Sequence, residues 1–117
     1  MKYTIEEKNL IADEAKEIET WIEDNIVPYI VDQDVSVSYG DDYYEINISK
    51  SDIKIRNIFS SGNNIYLSQR NKNYIYYTAV ATLILNWNET KKRLLQHLDY
   101  LSQSRKRFVE ELKNFKI

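Results

Sequence analysis

The chain has 117 residues, 43% hydrophobic and 29% charged, with a formal net charge of −2, two glycines, one proline and no cysteine. That balance excludes an intrinsically disordered segment and fits one domain with a core of its own. The absent cysteines exclude disulfides, thiolate metal sites and a cysteine nucleophile, and two glycines leave no Gly-rich phosphate loop.

The stretch Thr4-Ile5-Glu6-Glu7 fits a helix-opening capping box, in which Thr4 caps and Glu7 reaches back to the Thr4 amide. Apolar residues then recur at Ile11, Ala15, Ile18, Ile22 and Ile26, one stripe of a helix, with Leu10 and Trp21 beside it. Pro28 should stop this helix near Ile26, because the residue before a proline disfavours the helical region.

Next the period changes to two. Val35-Ser36-Val37-Ser38-Tyr39 and Tyr44-Glu45-Ile46-Asn47-Ile48 alternate around the turn Gly40-Asp41-Asp42, the pattern of a β-hairpin. Ile53-Lys54-Ile55-Arg56 and Ile65-Tyr66-Leu67 add two more strands, joined by a turn over Ser60–Asn64. Each connection is too short for a parallel crossover, so the four strands should form an antiparallel meander.

From Val80 the helical period returns and continues through Ile84, Trp87, Lys91, Leu94, Leu98, Leu101, Arg105, Phe108, Leu112 and Phe115. This is a heptad seam interrupted by Lys91 and Arg105. Asn86 and Asn88 flank Trp87 and leave open whether the segment is one long helix or two consecutive ones. The expected fold is α+β over residues 1–117: an N-terminal helix, a four-stranded antiparallel β-meander and a long C-terminal helix.

Charge is divided along the chain. Residues 1–52 hold 14 acids against 4 bases, and residues 53–117 hold 4 acids against 12 bases. One explanation is internal: Glu6, Asp13, Glu17 and Asp24 recur on one flank of the first helix, with Glu7 and Glu14 on the other. If the first and last helices pack antiparallel, these acids meet the seam cations Lys91 and Arg105. A second explanation is a nucleic-acid face: Lys91-Lys92-Arg93 and Arg105-Lys106-Arg107 are fourteen residues apart, about 21 Å on a helix and nearly on one side. That face lacks interleaved aromatics other than Tyr100, and the whole chain is acidic.

An enzyme is not expected. His97 is the sole histidine and lies beside a packing seam. The carboxylates Asp32, Asp34, Asp41, Asp42 and Glu45 lack the spacing of a calcium loop, and Asp41-Asp42 is ordinary turn chemistry. No metal or other cofactor is expected. No signal core opens the sequence and the longest apolar stretch, Ala79–Leu85, is too short to cross a bilayer, so a cytoplasmic protein without a membrane partner is expected. Ile, Asn, Lys and Tyr, whose codons are AT-rich, make up about 40% of the chain, the composition of a low-GC bacterium or one of its phages or mobile elements.

The leading expectation is a non-enzymatic, protein-binding inhibitor whose acidic surface docks on a host protein with a basic surface, such as a defence nuclease. Anti-CRISPR and anti-restriction proteins act in this general manner; that is an analogy of mode, carried by no residue pattern here. The candidate contact residues are Asp32, Asp34, Asp41, Asp42 and Glu45, with Tyr39, Tyr43 and Tyr44 as anchors, since the ten tyrosines suit an interface. The alternatives are a nucleic-acid-binding accessory protein using Lys92, Arg93, Lys106 and Arg107, and a homodimeric adaptor paired through the C-terminal helix.

Overall fold

The computed structural model describes residues 2–60, 62 and 64–115. Helix α1 (Ile5–Asn25) opens at the capping box: the Glu7 amide donates to Thr4 Oγ1 at 3.1 Å and the Thr4 amide to Glu7 Oε1 at 2.8 Å. The Thr4 amide, and then its hydroxyl, hold the Glu7 carboxyl below the usual carboxylate range. Ile11, Ala15, Ile18, Ile22 and Ile26 are all buried, as their spacing requires. The helix stops at Asn25 and a 3₁₀ turn, Val27–Tyr29, carries Pro28 in its first turn.

Strands β1 (Val35–Tyr39), β2 (Tyr44–Ile48), β3 (Ile53–Asn57) and β4 (Ile65–Tyr66) pair antiparallel in sequence order. Register puts Val37 opposite Ile46, Ile46 opposite Ile55 and Ile55 opposite Ile65. One face is therefore apolar from edge to edge, while Ser36, Asn47, Lys54 and Tyr66 line up on the other. The β1–β2 connection closes with the Tyr43 amide donating to the Gly40 carbonyl at 3.1 Å. Its central residues, Asp41 (φ 56°) and Asp42 (φ 63°), both have positive φ, as a type I′ turn demands. Gly40 also has φ +63°, and a Cβ there would lie 2.7 Å from the Thr82 methyl, so the turn needs glycine for both reasons. Ser61 and Asn63, within the expected turn before β4, lie outside the described residues.

The last apolar segment is two consecutive helices, α2 (Tyr74–Leu85) and α3 (Trp87–Lys113). Asn86 separates them: its amide turns back to Thr82 and Leu83, its side-chain amide donates to the Thr82 carbonyl at 2.8 Å, and its own carbonyl accepts from Thr90. Tyr76, Tyr77, Ala79, Val80 and Leu83 of α2 are buried in one cluster with the α1 stripe and the apolar sheet face. Two phenols tie this helix to the sheet. Tyr39 donates to the Ala79 carbonyl at 2.9 Å and Tyr76 to the Leu67 carbonyl at 2.8 Å.

Helix α3 runs along the β1 edge. The outward Ser36 amide donates to His97 Nδ1 at 3.2 Å, and Arg93 donates to the Ser38 carbonyl at 3.2 Å. The only histidine thus occupies a structural position, supplying an acceptor to an edge strand that would otherwise present unpaired backbone groups. Leu94 and Thr90, one turn earlier, are fully buried beneath it.

Burial pushes Tyr76 up to about 12, helped by Tyr77 and Glu19, and burial with the Tyr44 phenol raises Tyr39 further still. The folded state holds these protons more tightly than the unfolded chain. Their contribution is present below the ordinary tyrosine value of 10.0 and is lost as pH rises through about 12. Stability measured by urea unfolding should stay level from neutral pH to about pH 9 and fall above about pH 10. The Tyr39→Phe variant should start about 1 kcal/mol lower and show a shallower alkaline fall; an equal slope would contradict the assignment.

Candidate interaction surfaces

The expected contact residues are dispersed by the fold. Tyr39 and Tyr44 are core side chains, stacked with ring centroids 5.4 Å apart, and are corrected from anchors to packing residues. The strand period explains it: Tyr39 shares the face of Val35, and Tyr44 that of Ile46 and Ile48. Only Tyr43 of the three is exposed, against Phe59 at 5.6 Å.

Most of the hairpin acids are engaged within the chain. Asp32 pairs with Arg105, Glu45 with Arg56 at 3.0 Å, and Asp42 accepts from the Ser38 hydroxyl at 2.6 Å. Asp41 is exposed at the tip of the turn, where its positive φ gives it a backbone role. Asp34 borders a cleft of about 190 Å³ on the polar sheet face, with Glu45, Asn47, Lys54 and Arg56. Asn47 Oδ1 is buried there without a hydrogen-bond partner. This patch carries both signs of charge and is not an acidic surface. Among the described residues no group of three or more His, Asp or Glu side chains is placed to hold a metal ion.

The expected pairing of α1 acids with α3 cations does not occur. Among the described residues the ion pairs are Arg56–Glu45, Arg93–Glu89 and Arg105–Asp32, and none involves α1. Helical geometry gives the reason. At 100° per residue, Glu6, Asp13, Glu17 and Asp24 lie nearly opposite the buried stripe, and α1 turns that stripe toward α2 and the sheet. Where α1 does reach α3, aromatic contacts replace charge pairs. Trp21 meets Trp87 edge-on at 5.4 Å, and Lys91 Nζ lies 5.8 Å over the Trp21 ring.

The outer face of α1 is accordingly an open acidic ridge, with Glu6, Glu7, Asp13, Glu14, Glu17, Glu23 and Asp24 all exposed and Glu19 half-buried. Burial, then the neighbouring Glu23, raise Glu19 above its usual range, while Lys16 opposes the shift. From Glu6 to Asp24 the axis is about 27 Å long, and these carboxylates are spread along it at uneven intervals. Lys8 and Lys16 reduce the net charge but leave its sign. The sequence held the signal for this surface, since projecting these acids at 3.6 residues per turn separates them from the stripe.

On α3, Lys92, Lys106 and Arg107 are exposed and form no ion pair among the described residues, whereas Arg93 is held by Glu89 at 3.4 Å and by Ser38. The seam is buried at Leu94, half-buried at Leu98 and Leu101, and then emerges: Phe108 is 51%, Leu112 59% and Phe115 72% exposed. Between α3 and the segment Tyr29–Gln33 runs an open groove of about 600 Å³. It was not legible from sequence, because it depends on where α3 crosses the chain entering β1.

Comparison of the chain with protein-family models, curated proteins and solved structures gives no match. No described helix is long and apolar enough to cross a membrane.

If packing rather than charge fixes α3, Leu94→Ala should cost about 2–5 kcal/mol, while Arg105→Ala, whose pair with Asp32 is half-exposed on both sides, should cost less than about 1 kcal/mol. Chemical denaturation of the two variants decides it, and the reverse order would contradict this anchoring.

Proposed function

We propose that this chain is a non-enzymatic binding protein that docks the acidic outer face of α1 on a basic surface of another protein. The observation that carries the reading is the freedom of that face: its acids are exposed along about 27 Å, and among the described residues none is in an ion pair. A ridge of carboxylates suits a groove built for a nucleic-acid backbone, where cations already converge and long-range attraction speeds encounter. A nuclease channel is the partner we take from that chemistry, with stoichiometric occlusion as the mode of inhibition. The hairpin region contributes Asp34, Asp41 and Tyr43 at most, since Asp32, Asp42 and Glu45 are engaged within the chain and Tyr39 and Tyr44 are buried.

A second reading rests on Lys92, Lys106 and Arg107, whose exposure would allow salt-dependent, sequence-blind contact with phosphates. Lys92 and Lys106 lie about 21 Å apart along the helix, far enough to bridge several phosphates of one strand.

One comparison separates the two readings. The variant Glu6→Lys, Asp13→Lys, Glu17→Lys, Asp24→Lys changes only exposed side chains and should retain its circular dichroism. The native chain should capture a basic protein from a low-GC bacterial extract, release it in salt or on adding duplex DNA, and lose capture in the variant. Capture unchanged by the four reversals would overturn the acidic-face reading. Direct retention of labelled DNA at low salt, lost on Lys92→Glu with Lys106→Glu, would favour the second reading instead.

A further inference from the structure

Helix α3 carries an exposed apolar tip and forms one wall of an apolar groove. Helix α3 has 27 residues, about 40 Å of axis, in a molecule measuring 65 × 29 × 23 Å. Its first half is held by β1 and the core. Beyond Arg105, Phe108 stands at the end of the groove and is half-exposed, and Leu112, followed by Phe115 just past the helix cap, is more exposed still. One to two heptads earlier the same helix forms a wall of the groove through Leu95, Leu98 and Leu101, with Tyr29 and Val31 on the facing wall. A straight helix cannot fold its own tip back into that groove.

We infer that the groove receives the α3 tip of a second copy of this chain, and that two copies exchange tips across a two-fold axis. The heptad positions set the register of an antiparallel α3 pair. Leu101 faces the partner's Leu112, Arg105 faces the partner's Phe108, and Leu98 faces the partner's Phe115. Arg105 enters with its own counter-charge, Asp32, and its guanidinium lies over an aromatic ring. Arg107 projects well over 90° from the seam, while Lys106 borders the groove with its side chain exposed to solvent. Because each chain presents both the tip and the groove, the contact is self-complementary and closes at two.

The area is adequate. Tyr29, Val31, Leu95, Phe108, Leu112 and Phe115 together expose on the order of 600 Å² per chain, against about 800 Å² per partner in a standard interface, whose rim is polar. An apolar area of this extent is at the upper end of the largest patch on a typical monomer. The pairing leaves the outer face of α1 uninvolved, so it stands or falls separately from the binding function proposed above.

The test uses the whole chain. Sedimentation equilibrium should give twice the 14.0 kDa chain mass at tens of micromolar. Phe108→Asp with Leu112→Asp, both at exposed positions, should keep the native circular dichroism, sediment as a monomer and weaken association at least 100-fold. The control Leu10→Asp, exposed on α1, should remain dimeric. The absence of cysteine allows a direct check of register. A chain carrying both Leu101→Cys and Leu112→Cys should form interchain disulfides on mild oxidation, since the two sites are about 16 Å apart within one helix and cannot bridge there. Leu112→Cys alone should not cross-link. A monomeric native chain at 200 μM would overturn the inference, as would a dimer unaffected by the Asp variant or cross-linking through Leu112→Cys alone.

Discussion

The position of α3 against the β1 edge is the constraint from which the surfaces of this molecule follow. An edge strand exposes a row of backbone donors and acceptors, and here His97 and Arg93 take up an amide and a carbonyl of β1 while Leu94 seals the core behind them. Those contacts fix the direction of a helix longer than the sheet it covers. Its second half must therefore leave the domain, carrying the end of the seam with the exposed Lys106 and Arg107. The same placement makes the chain entering β1 one wall of the groove. Sheet edge, groove and projecting tip are consequences of one packing decision.

The opposite end of the molecule obeys a different constraint. Helix α1 is fixed by five small and branched apolar residues on one stripe, which it turns toward α2 and the sheet, leaving its acids on the outward side. The acids of α1 consequently stay clear of the α3 cations, and the ion pairs that join the acidic and basic halves, Arg56–Glu45 and Arg105–Asp32, use acids beyond α1. Half-exposed pairs of that kind add little to stability. The charge division therefore contributes little to the fold.

Much of the fold was legible because its signals are local. The capping box at Thr4, the stripe of α1 and the alternation in all four strands each depend on residues a few positions apart, whereas Asn86 and Asn88 leave one helix or two equally open. The same local rules, applied to Tyr39 and Tyr44, already place both on the inward face, and a helical projection already puts Glu6, Asp13, Glu17 and Asp24 on the outward one. What local rules could not supply was which element lies against which. The assignment of α1 acids to α3 cations failed there, because a heptad pattern states that a seam is apolar without stating what covers it. The single histidine shows the same limit: its neighbours mark it as structural, yet its acceptor role for Ser36, 61 positions away, exists only in the fold.

The central claim is that α3 is anchored by its first half and offers its second half to another molecule. Hydrogen exchange read residue by residue along α3, at several protein concentrations, tests this most directly. The account predicts two tiers: amides from Leu94 to Leu101 protected to the level of global unfolding at every concentration, and amides from Arg107 to Lys113 exchanging much faster in dilute solution and slowing as the concentration rises. Uniform protection along the whole helix, unchanged by dilution, would contradict it.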